Sequence, residues 1–193
     1  YPSKTKLLDL GTAAGSVPLT MRRVGMKALG LEGLDDAQRG MIVPDMLPND
    51  VARDRFAWTQ APEIVDCCDI TKPFRIEDNA GNVVKFDYII STDCFEHLVT
   101  ERVPQLVDNI YDHLADDGYG IFEINTGSFF HIHQTVQPES WWSSVFSKRF
   151  VIDEQLSMQD FTYVRSRRSG GRLTYVADGG FDEYKILFWV RKQ

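Results

Sequence analysis

The first residues with a chemical pattern lie between Asp9 and Gly15, in the segment Asp-Leu-Gly-Thr-Ala-Ala-Gly. Small residues between a strand and a helix let a ligand approach the main chain, because no side chain occupies its space. The dinucleotide pattern Gly-x-Gly-x-x-Gly, started at Gly11, requires glycines at Ala13 and Ser16, so two of its three positions fail. By itself the segment fits a ligand-binding turn or an ordinary tight turn.

Two acidic residues follow this turn, each at the end of a later apolar segment. Glu32 closes the second apolar segment, where an acceptor-only carboxylate can take hydrogen bonds from both hydroxyls of a ribose. Asp69 closes the third, directly before Ile70. The alternatives are a solvated strand end for Glu32 and a loop start for Asp69.

A longer match follows these residues. Residues 86–98, Phe-Asp-Tyr-Ile-Ile-Ser-Thr-Asp-Cys-Phe-Glu-His-Leu, closely resemble the "FDvIisnDvlEHl" stretch of class I SAM-dependent methyltransferases, in their broad small-molecule branch. The glycine segment resembles the first motif of that family, Asp-x-Gly-x-Gly-x-Gly, with Ala13 at the middle glycine. Residues 114–118 resemble the turn before the family's fifth strand, with Asp in place of Pro and of the first Gly. The resemblance covers residues 6–125.

The resemblance implies a Rossmann-like fold that binds S-adenosylmethionine (SAM) and releases S-adenosylhomocysteine (SAH). It implies that Asp69 lies near the adenine amino group and that Ile70 packs on the ring. The expected acceptor is an oxygen or nitrogen of a small molecule. The predicted cofactor-binding residues are Asp9, Gly11, Thr12, Ala13, Gly15, Glu32, Asp69, Ile70 and Thr92.

Candidate catalytic residues come directly after the predicted fourth strand. Methyl transfer is an in-line displacement, so the enzyme mainly positions the nucleophile and removes its proton where necessary. Open parallel sheets bind ligands at the carboxyl ends of their strands, where Asp93 and His97 are expected. We predict that His97 is the general base and that Asp93 orients groups near the cofactor. The alternative is a His97 that only bonds to the main chain.

A metal-assisted variant uses the same segment. Asp93-x-x-Glu96-His97 also resembles the Glu-x-x-Glu-His metal site of some O-methyltransferases that act on ubiquinone precursors or RNA ends, with Asp in place of the first Glu. His131 or His133 would supply a further ligand, and Mg²⁺ or Mn²⁺ would suit such a set. A divalent metal and RNA as substrate are therefore alternatives, neither favoured. A third is a module that binds SAM or SAH without turnover, which Ala13 leaves open.

Aromatic and basic residues in the final third have two interpretations each. Phe129, Phe130 and the two histidines nearby could form the wall of an acceptor pocket, as could Trp141 and Trp142, although such clusters usually belong to the core. At least one of the two tryptophans should be core, since a helix turns only one of two neighbours inward. A basic cluster is expected to be a solvated hairpin, or else a site for an anionic acceptor; it contains Arg165, Arg167, Arg168 and Arg172.

The elements that must position these residues follow from the apolar pattern. Strands are predicted over residues 6–10, 27–32, 63–68, 86–91 and 119–124, and helices over 17–24 and 100–114, with Asp116-Asp117-Gly118 ending the second helix. Prolines at 44, 48 and 62 limit residues 34–62 to short helices and loop. A helix over 138–146 and strands over 160–166, 173–177 and 184–191 complete the chain. We predict an α/β fold: a mostly parallel seven-stranded sheet, helices on both faces and an antiparallel C-terminal edge.

Composition sets the remaining limits. The 193 residues predict a single domain over 1–193, with 43% hydrophobic and 25% charged residues, as in ordinary globular proteins. A net charge of −7 argues against a surface devoted to nucleic acid. Three cysteines without zinc-like spacing and the absence of a long apolar run predict a cytoplasmic protein without a membrane partner. Because the chain starts at Tyr1, we expect that residues preceding it are missing. Oligomeric state is left open.

Overall fold

The structure is a computed structural model that describes residues 4–13, 15–33, 62–126, 133–157, 165–169, 172–176 and 185–193. Its centre is a seven-stranded sheet in the order β3-β2-β1-β4-β5-β9-β6. Strands β1 to β5 are parallel, and β9 runs antiparallel between β5 and β6. The strands of this sheet are β1 Lys6–Leu10, β2 Lys27–Glu32, β3 Val65–Cys67, β4 Phe86–Thr92, β5 Leu114–Asn125, β6 Phe150–Ile152 and β9 Lys185–Lys192. This architecture confirms the predicted fold class.

The central strands are apolar on both faces because helices and loops cover both sides of the sheet. Leu8 and Leu10 of β1 and Ile89 of β4 have no exposed side-chain surface, and they belong to one core cluster. The predictions for β1 and β2 match the observed bounds, and β4 extends one residue further, to Thr92. Continuous apolar runs of this kind are the part of the sequence that most strongly determines the sheet.

Four helices accompany the sheet: α1 Ser16–Arg23, α2 Val103–His113, α3 Glu139–Phe146 and α4 Glu154–Ser157. The predicted helix over residues 100–114 is a short 3-10 turn, Thr100–Arg102, followed by α2. Val103, Leu106 and Ile110 are fully buried on one face of α2, at the spacing of three and four residues that an amphipathic helix requires. No helix in the described part of the chain is long and apolar enough to cross a membrane.

The prediction that Asp116-Asp117-Gly118 forms the turn at the end of the second helix was wrong. Strand β5 begins at Leu114, directly after α2, and the three residues lie inside it at an irregularity in pairing: Phe86 pairs with Leu114, but Tyr88 pairs with Tyr119. A Cβ on Gly118 would stand 2.9 Å from the carbonyl oxygen of Asp87. The glycine is therefore required by a close approach of two strands, which looks the same in sequence as a turn signal.

The C-terminal third departs from prediction in its pairing. Strands β7 Arg165–Ser169 and β8 Arg172–Val176 form a separate two-stranded sheet, whereas an edge of the main sheet was expected. The edge strand is instead β6, only three residues long and too short to show a period of two. It joins because Phe150 is buried in the core. The predictions for residues 34–61 and for the glycine turns at 170–171 and 178–180 lie outside the described residues.

Candidate functional site

The candidate site lies along the carboxyl ends of β1 to β4. The parallel order β3-β2-β1-β4 means that the chain leaves β1 on one side and returns beside it with β4. Where neighbouring strands connect in opposite directions, the loops after them diverge and leave a crevice for a ligand. The glycine segment after β1, Glu32, Asp69 and the residues after β4 all stand at this edge.

The glycine segment is a left-handed turn held against β2. Gly11, Ala13 and Gly15 have φ angles of 73°, 48° and 74°. The N–H groups of Gly11 and Thr12 donate to the carbonyl oxygen of Leu31, at 2.9 and 3.1 Å. Ala13, at the place of the motif's middle glycine, thus adopts a conformation that costs a non-glycine residue about 1–2 kcal/mol. Such strain persists only where the surroundings hold the turn in place.

Gly11 also has no room for a side chain. A Cβ at this position would lie 2.2 Å from Sγ and 2.6 Å from Cβ of Cys94, which follows β4. Burial raises the pKa of the Cys94 thiol to about 12, so this thiol is a neutral packing group. The contact between the first turn and the residues after β4 was not predicted, since nothing in the spacing of Gly11 and Cys94 signals it.

Asp9 stabilises the glycine turn through a hydrogen bond with Thr12. Its side chain is 4% exposed, and Oδ2 accepts a hydrogen bond of 2.6 Å from the Thr12 hydroxyl. Burial raises the pKa of Asp9 to about 6, and the Glu32 charge contributes to the rise, whereas the Thr12 bond opposes it. Asp9 therefore belongs to the site as a support for the turn.

Glu32 joins β2 to the glycine turn. It is the last residue of β2, and its Oε2 accepts a 2.8 Å hydrogen bond from the N–H of Ala13. A carboxylate can accept about four hydrogen bonds, so this bond is compatible with further donors such as two ribose hydroxyls. The bond brings together two segments that the sequence only suggested were neighbours.

Asp69 lies two residues beyond β3, with its carboxylate in a local network. Oδ1 accepts from the N–H and hydroxyl of Thr71, and Oδ2 pairs with Lys72 at 3.1 Å. The Thr71 side-chain bond is the main reason why the pKa of Asp69 is lowered, so this residue is a carboxylate at neutral pH. Ile70 is only 5% exposed and packs in the core cluster.

Thr92 and Asp93 are exposed at the end of β4. Asp93 has φ 48°, and its N–H donates to the carbonyl oxygen of Glu123 at 3.2 Å. A left-handed residue at this point turns the chain sharply out of the strand and into the 3-10 turn Phe95–His97. The turn places Glu96 and His97 beside β5.

Glu96, His97 and His133 form a cluster in which one potential metal-ligand atom of each residue lies within 4.8 Å of the others. The histidine rings meet edge to face with centroids 4.8 Å apart. Glu96 is fully buried; its Oε1 accepts from the Asn125 N–H at 3.2 Å, while Oε2 has no hydrogen-bond partner within the described structure. Burial raises the pKa of Glu96 to about 7, and Asp93 adds to the rise.

The main chain fixes this cluster. The carbonyl oxygen of Glu96 accepts from the N–H groups of Gln134 and Thr135, at 2.8 and 2.9 Å. The buried Thr135 hydroxyl donates to the carbonyl oxygen of Leu98 at 2.6 Å. Of the two histidines considered in the sequence, His133 is therefore the one shown beside His97, and His131 lies outside the described residues. Asp93 is not in the cluster found among the described residues.

The remaining candidates divide between core and undescribed positions. Trp142 is fully buried and Trp141 packs partly against the same core, which confirms that at least one of the two is structural. Phe129 and Phe130 lie outside the described residues. The arginine cluster lies on β7 and β8, whose side chains are also outside the described part.

Comparison with known proteins gives one family and a large set of shared folds. A family model described as a methyltransferase domain matches residues 2–163. A search of curated proteins found no match. The solved structures include a TehB-like SAM-dependent methyltransferase from Corynebacterium glutamicum (15% identity, TM-score 0.64), which covers 100% of this chain and 83% of that one.

Two further structures are similar. The PH0226 protein from Pyrococcus horikoshii has 16% identity and a TM-score of 0.63, with 100% of this chain and 84% of that one covered. The N-methyltransferase NodS from Bradyrhizobium japonicum has 14% identity and a TM-score of 0.56, with 97% and 85% covered. At such identities the likeness shows a shared fold.

Proposed function

This chain belongs to the class I SAM-dependent methyltransferases, and we propose that it methylates an oxygen or nitrogen of a small-molecule acceptor. In this reaction a lone pair of the acceptor forms a bond to the methyl carbon of SAM. The carbon–sulfur bond breaks with its electrons on sulfur, and SAH leaves. The acceptor's proton passes to a base.

The hydrogen bond from the Ala13 N–H to Glu32 Oε2 is the observation that carries the assignment of the cofactor site. It joins the glycine turn to the carboxylate proposed to hold the ribose. We assign Gly11, Thr12 and Gly15 to the main-chain surface on which the cofactor lies. Glu32 accepts from the ribose hydroxyls, which are good donors to an acceptor-only group.

The adenine end is assigned to the loop after β3 and the methyl end to the residues after β4. The Asp69 carboxylate can accept from the adenine amino group, and the adenine ring is assigned to the side of the loop where Ile70 joins the core cluster. Thr92 and Asp93 stand exposed at the end of the adjacent strand β4. These assignments place the ligand across the crevice that the strand order creates.

The acceptor side is assigned to His97. Its side chain is half-buried, so part of its surface lies open to an acceptor. We assign His97 to activation of the acceptor's nucleophile and Asp93 to its orientation. The net charge of −7 favours a small molecule over a nucleic acid.

Calorimetry with SAM and SAH on the full chain tests the cofactor site. We expect both to bind below about 1 mM, and Glu32→Ala to weaken SAM by about tenfold, equivalent to about 1.4 kcal/mol. The control is Glu101→Ala, at an exposed glutamate outside the turn. The assignment fails if neither ligand binds to the full chain, or if the two variants bind SAM equally.

Turnover is tested by measuring SAH formation with a panel of phenols, catechols, hydroxy acids and amines. For an accepted substrate, His97→Gln should lower kcat by about 100-fold, within the range for loss of an acid–base group, while SAM affinity changes less than about twofold. A loss of SAM affinity that matches the loss of kcat would contradict the role given to His97. SAH formation with no member of a broad panel would favour a binding module without turnover.

A further inference from the structure

We propose that Glu96, His97 and His133 bind a divalent transition-metal cation, and that the reacting group of the acceptor is a hydroxyl oxygen bound at that cation. The proposal rests on the proposed function and specifies how the acceptor is activated. In this form His97 acts as a ligand, and the proton of the acceptor is lost to solvent.

The separations within the cluster fit a mononuclear site after a small contraction. Bonds from a first-row cation to imidazole nitrogen or carboxylate oxygen are about 2.0–2.2 Å, so two ligand atoms of one cation lie roughly 3–4.2 Å apart. The observed atoms lie within 4.8 Å of one another. A movement of less than about 1 Å would bring atoms at this upper separation into the range for one cation.

The site has a built, buried ligand. Glu96 is fully buried, and its Oε2 has no hydrogen-bond partner within the described structure. A buried carboxylate oxygen without a partner is costly, and a bound cation is one of the few groups that repays the cost. Oε1 is fixed by the Asn125 N–H, which leaves Oε2 as the oxygen for the cation.

Main-chain hydrogen bonds join the segments that carry the two histidines. The paired hydrogen bonds from the N–H groups of Gln134 and Thr135 to the Glu96 carbonyl tie the segment of His133 to that of His97. Both imidazoles are half-buried. Among the described residues the cluster offers three ligand atoms, which is the number that a catalytic site takes from the protein, since a structural site closes its fourth position.

The donor set selects among cations. One carboxylate and two imidazoles favour Mn²⁺, Fe²⁺, Co²⁺ or Zn²⁺, whereas Mg²⁺ and Ca²⁺ prefer oxygen ligands throughout. This changes the preference drawn from the sequence, where Asp93 was counted as a ligand and Mg²⁺ was an option. The cluster instead takes its third ligand from His133.

The choice of cation also narrows the acceptor. A Lewis acid lowers the pKa of a hydroxyl that binds to it, so the proton is lost to solvent at neutral pH. The oxygen then forms a bond to the methyl carbon as the carbon–sulfur bond breaks, and SAH leaves with the electron pair. An amine nitrogen gains nothing from such a site, because its lone pair would be engaged by the cation. Hydroxyl acceptors, phenols and catechols above all, are therefore expected.

The test uses the metal alone. The full chain, freed of metal with EDTA and dialysed, is titrated with Co²⁺ followed by visible absorption and with Mn²⁺ followed by calorimetry. We expect one cation per chain, with Glu96→Gln and His133→Gln each weakening binding by about tenfold or more. The matched control is Glu101→Gln, the same change at an exposed glutamate a few residues away, which should bind as the unmodified chain does.

The second variant is included because Glu96→Gln changes a fully buried residue and could affect folding. His133 is half-buried, so its replacement disturbs the core less. Absence of binding to the unmodified chain up to about 1 mM cation overturns the proposal, as does binding that survives both variants. SAM calorimetry on the same samples distinguishes failure of the metal site from failure of the proposed function. If SAM binds and the cations do not, only the metal site fails; if SAM does not bind, the proposed function fails.

Discussion

Replacement of Gly11 by alanine should destabilise both the fold and the glycine turn. The residue has φ 73°, and a Cβ would lie 2.2 Å from Sγ of Cys94 and 2.6 Å from its Cβ. The left-handed conformation costs alanine about 1–2 kcal/mol. Overpacking against Cys94, which is half-buried, costs about 1–3 kcal/mol more. The expected loss in the free energy of unfolding is therefore about 2–5 kcal/mol.

Gly25 supplies the control that separates these two costs. It has φ 96°, but no atom lies within 4 Å of the position a Cβ would take. Gly25→Ala should therefore lose only the conformational cost of about 1–2 kcal/mol. Alanine also lowers the conformational entropy of the unfolded chain relative to glycine. This effect is the same in both variants, so it cancels when their stabilities are compared.

Urea denaturation of both variants measures the difference. Adding Cys94→Ala to Gly11→Ala removes the nearer of the two contacts, so part of the lost stability should return. Calorimetry should also show weaker SAM binding for Gly11→Ala than for Gly25→Ala. If the two single variants lose the same stability within about 0.5 kcal/mol, the glycine turn does not pack on Cys94.

Three further predictions concern buried polar groups. Thr12→Val removes the 2.6 Å donor to Asp9 and should cost about 1–3 kcal/mol in urea denaturation; an unchanged midpoint would contradict the support role of Asp9. Ser91→Ala removes a buried 2.8 Å bond to the main chain of β1 and should cost about 1 kcal/mol, again by denaturation, with no effect expected on metal binding. His113 accepts a hydrogen bond from the Ile76 N–H, and burial lowers the pKa of its imidazole. The unfolded chain therefore binds a proton at this residue more readily than the folded chain does. The stability that the neutral ring contributes falls as pH drops below about 6.5. The stability advantage over His113→Gln should therefore narrow between pH 7.5 and pH 5.5, and a constant gap would refute this.

The central strands of the sheet, and the placement of the candidate cofactor-binding residues at their carboxyl ends, could be predicted from the amino-acid sequence. Most residues of β1, β2 and β4 are buried or half-buried, so their apolar runs are nearly continuous and visible without a structure. Parallel strands bring their carboxyl ends to one edge, so Glu32 and Asp93 could be assigned to a common crevice from order alone.

Features that depend on contact between distant segments could not be predicted from local sequence patterns. Strand β6 has three residues and no period, and it forms because Phe150 completes the core. Gly118 signals a turn in sequence, yet its role is to admit the main chain of β4. Local patterns report which surface is buried, but not which neighbour covers it.

The same limit separates the two halves of the site. The glycine turn is local, so its residues are readable from their spacing, although its bond to Glu32 and its contact with Cys94 are not. Main-chain hydrogen bonds between two loops bring His133 beside Glu96 and His97, and no sequence spacing encodes these bonds. The sequence therefore predicted which edge of the sheet carries the candidate site, whereas hydrogen bonds between the loops after β4 and β5 bring Glu96, His97 and His133 together there.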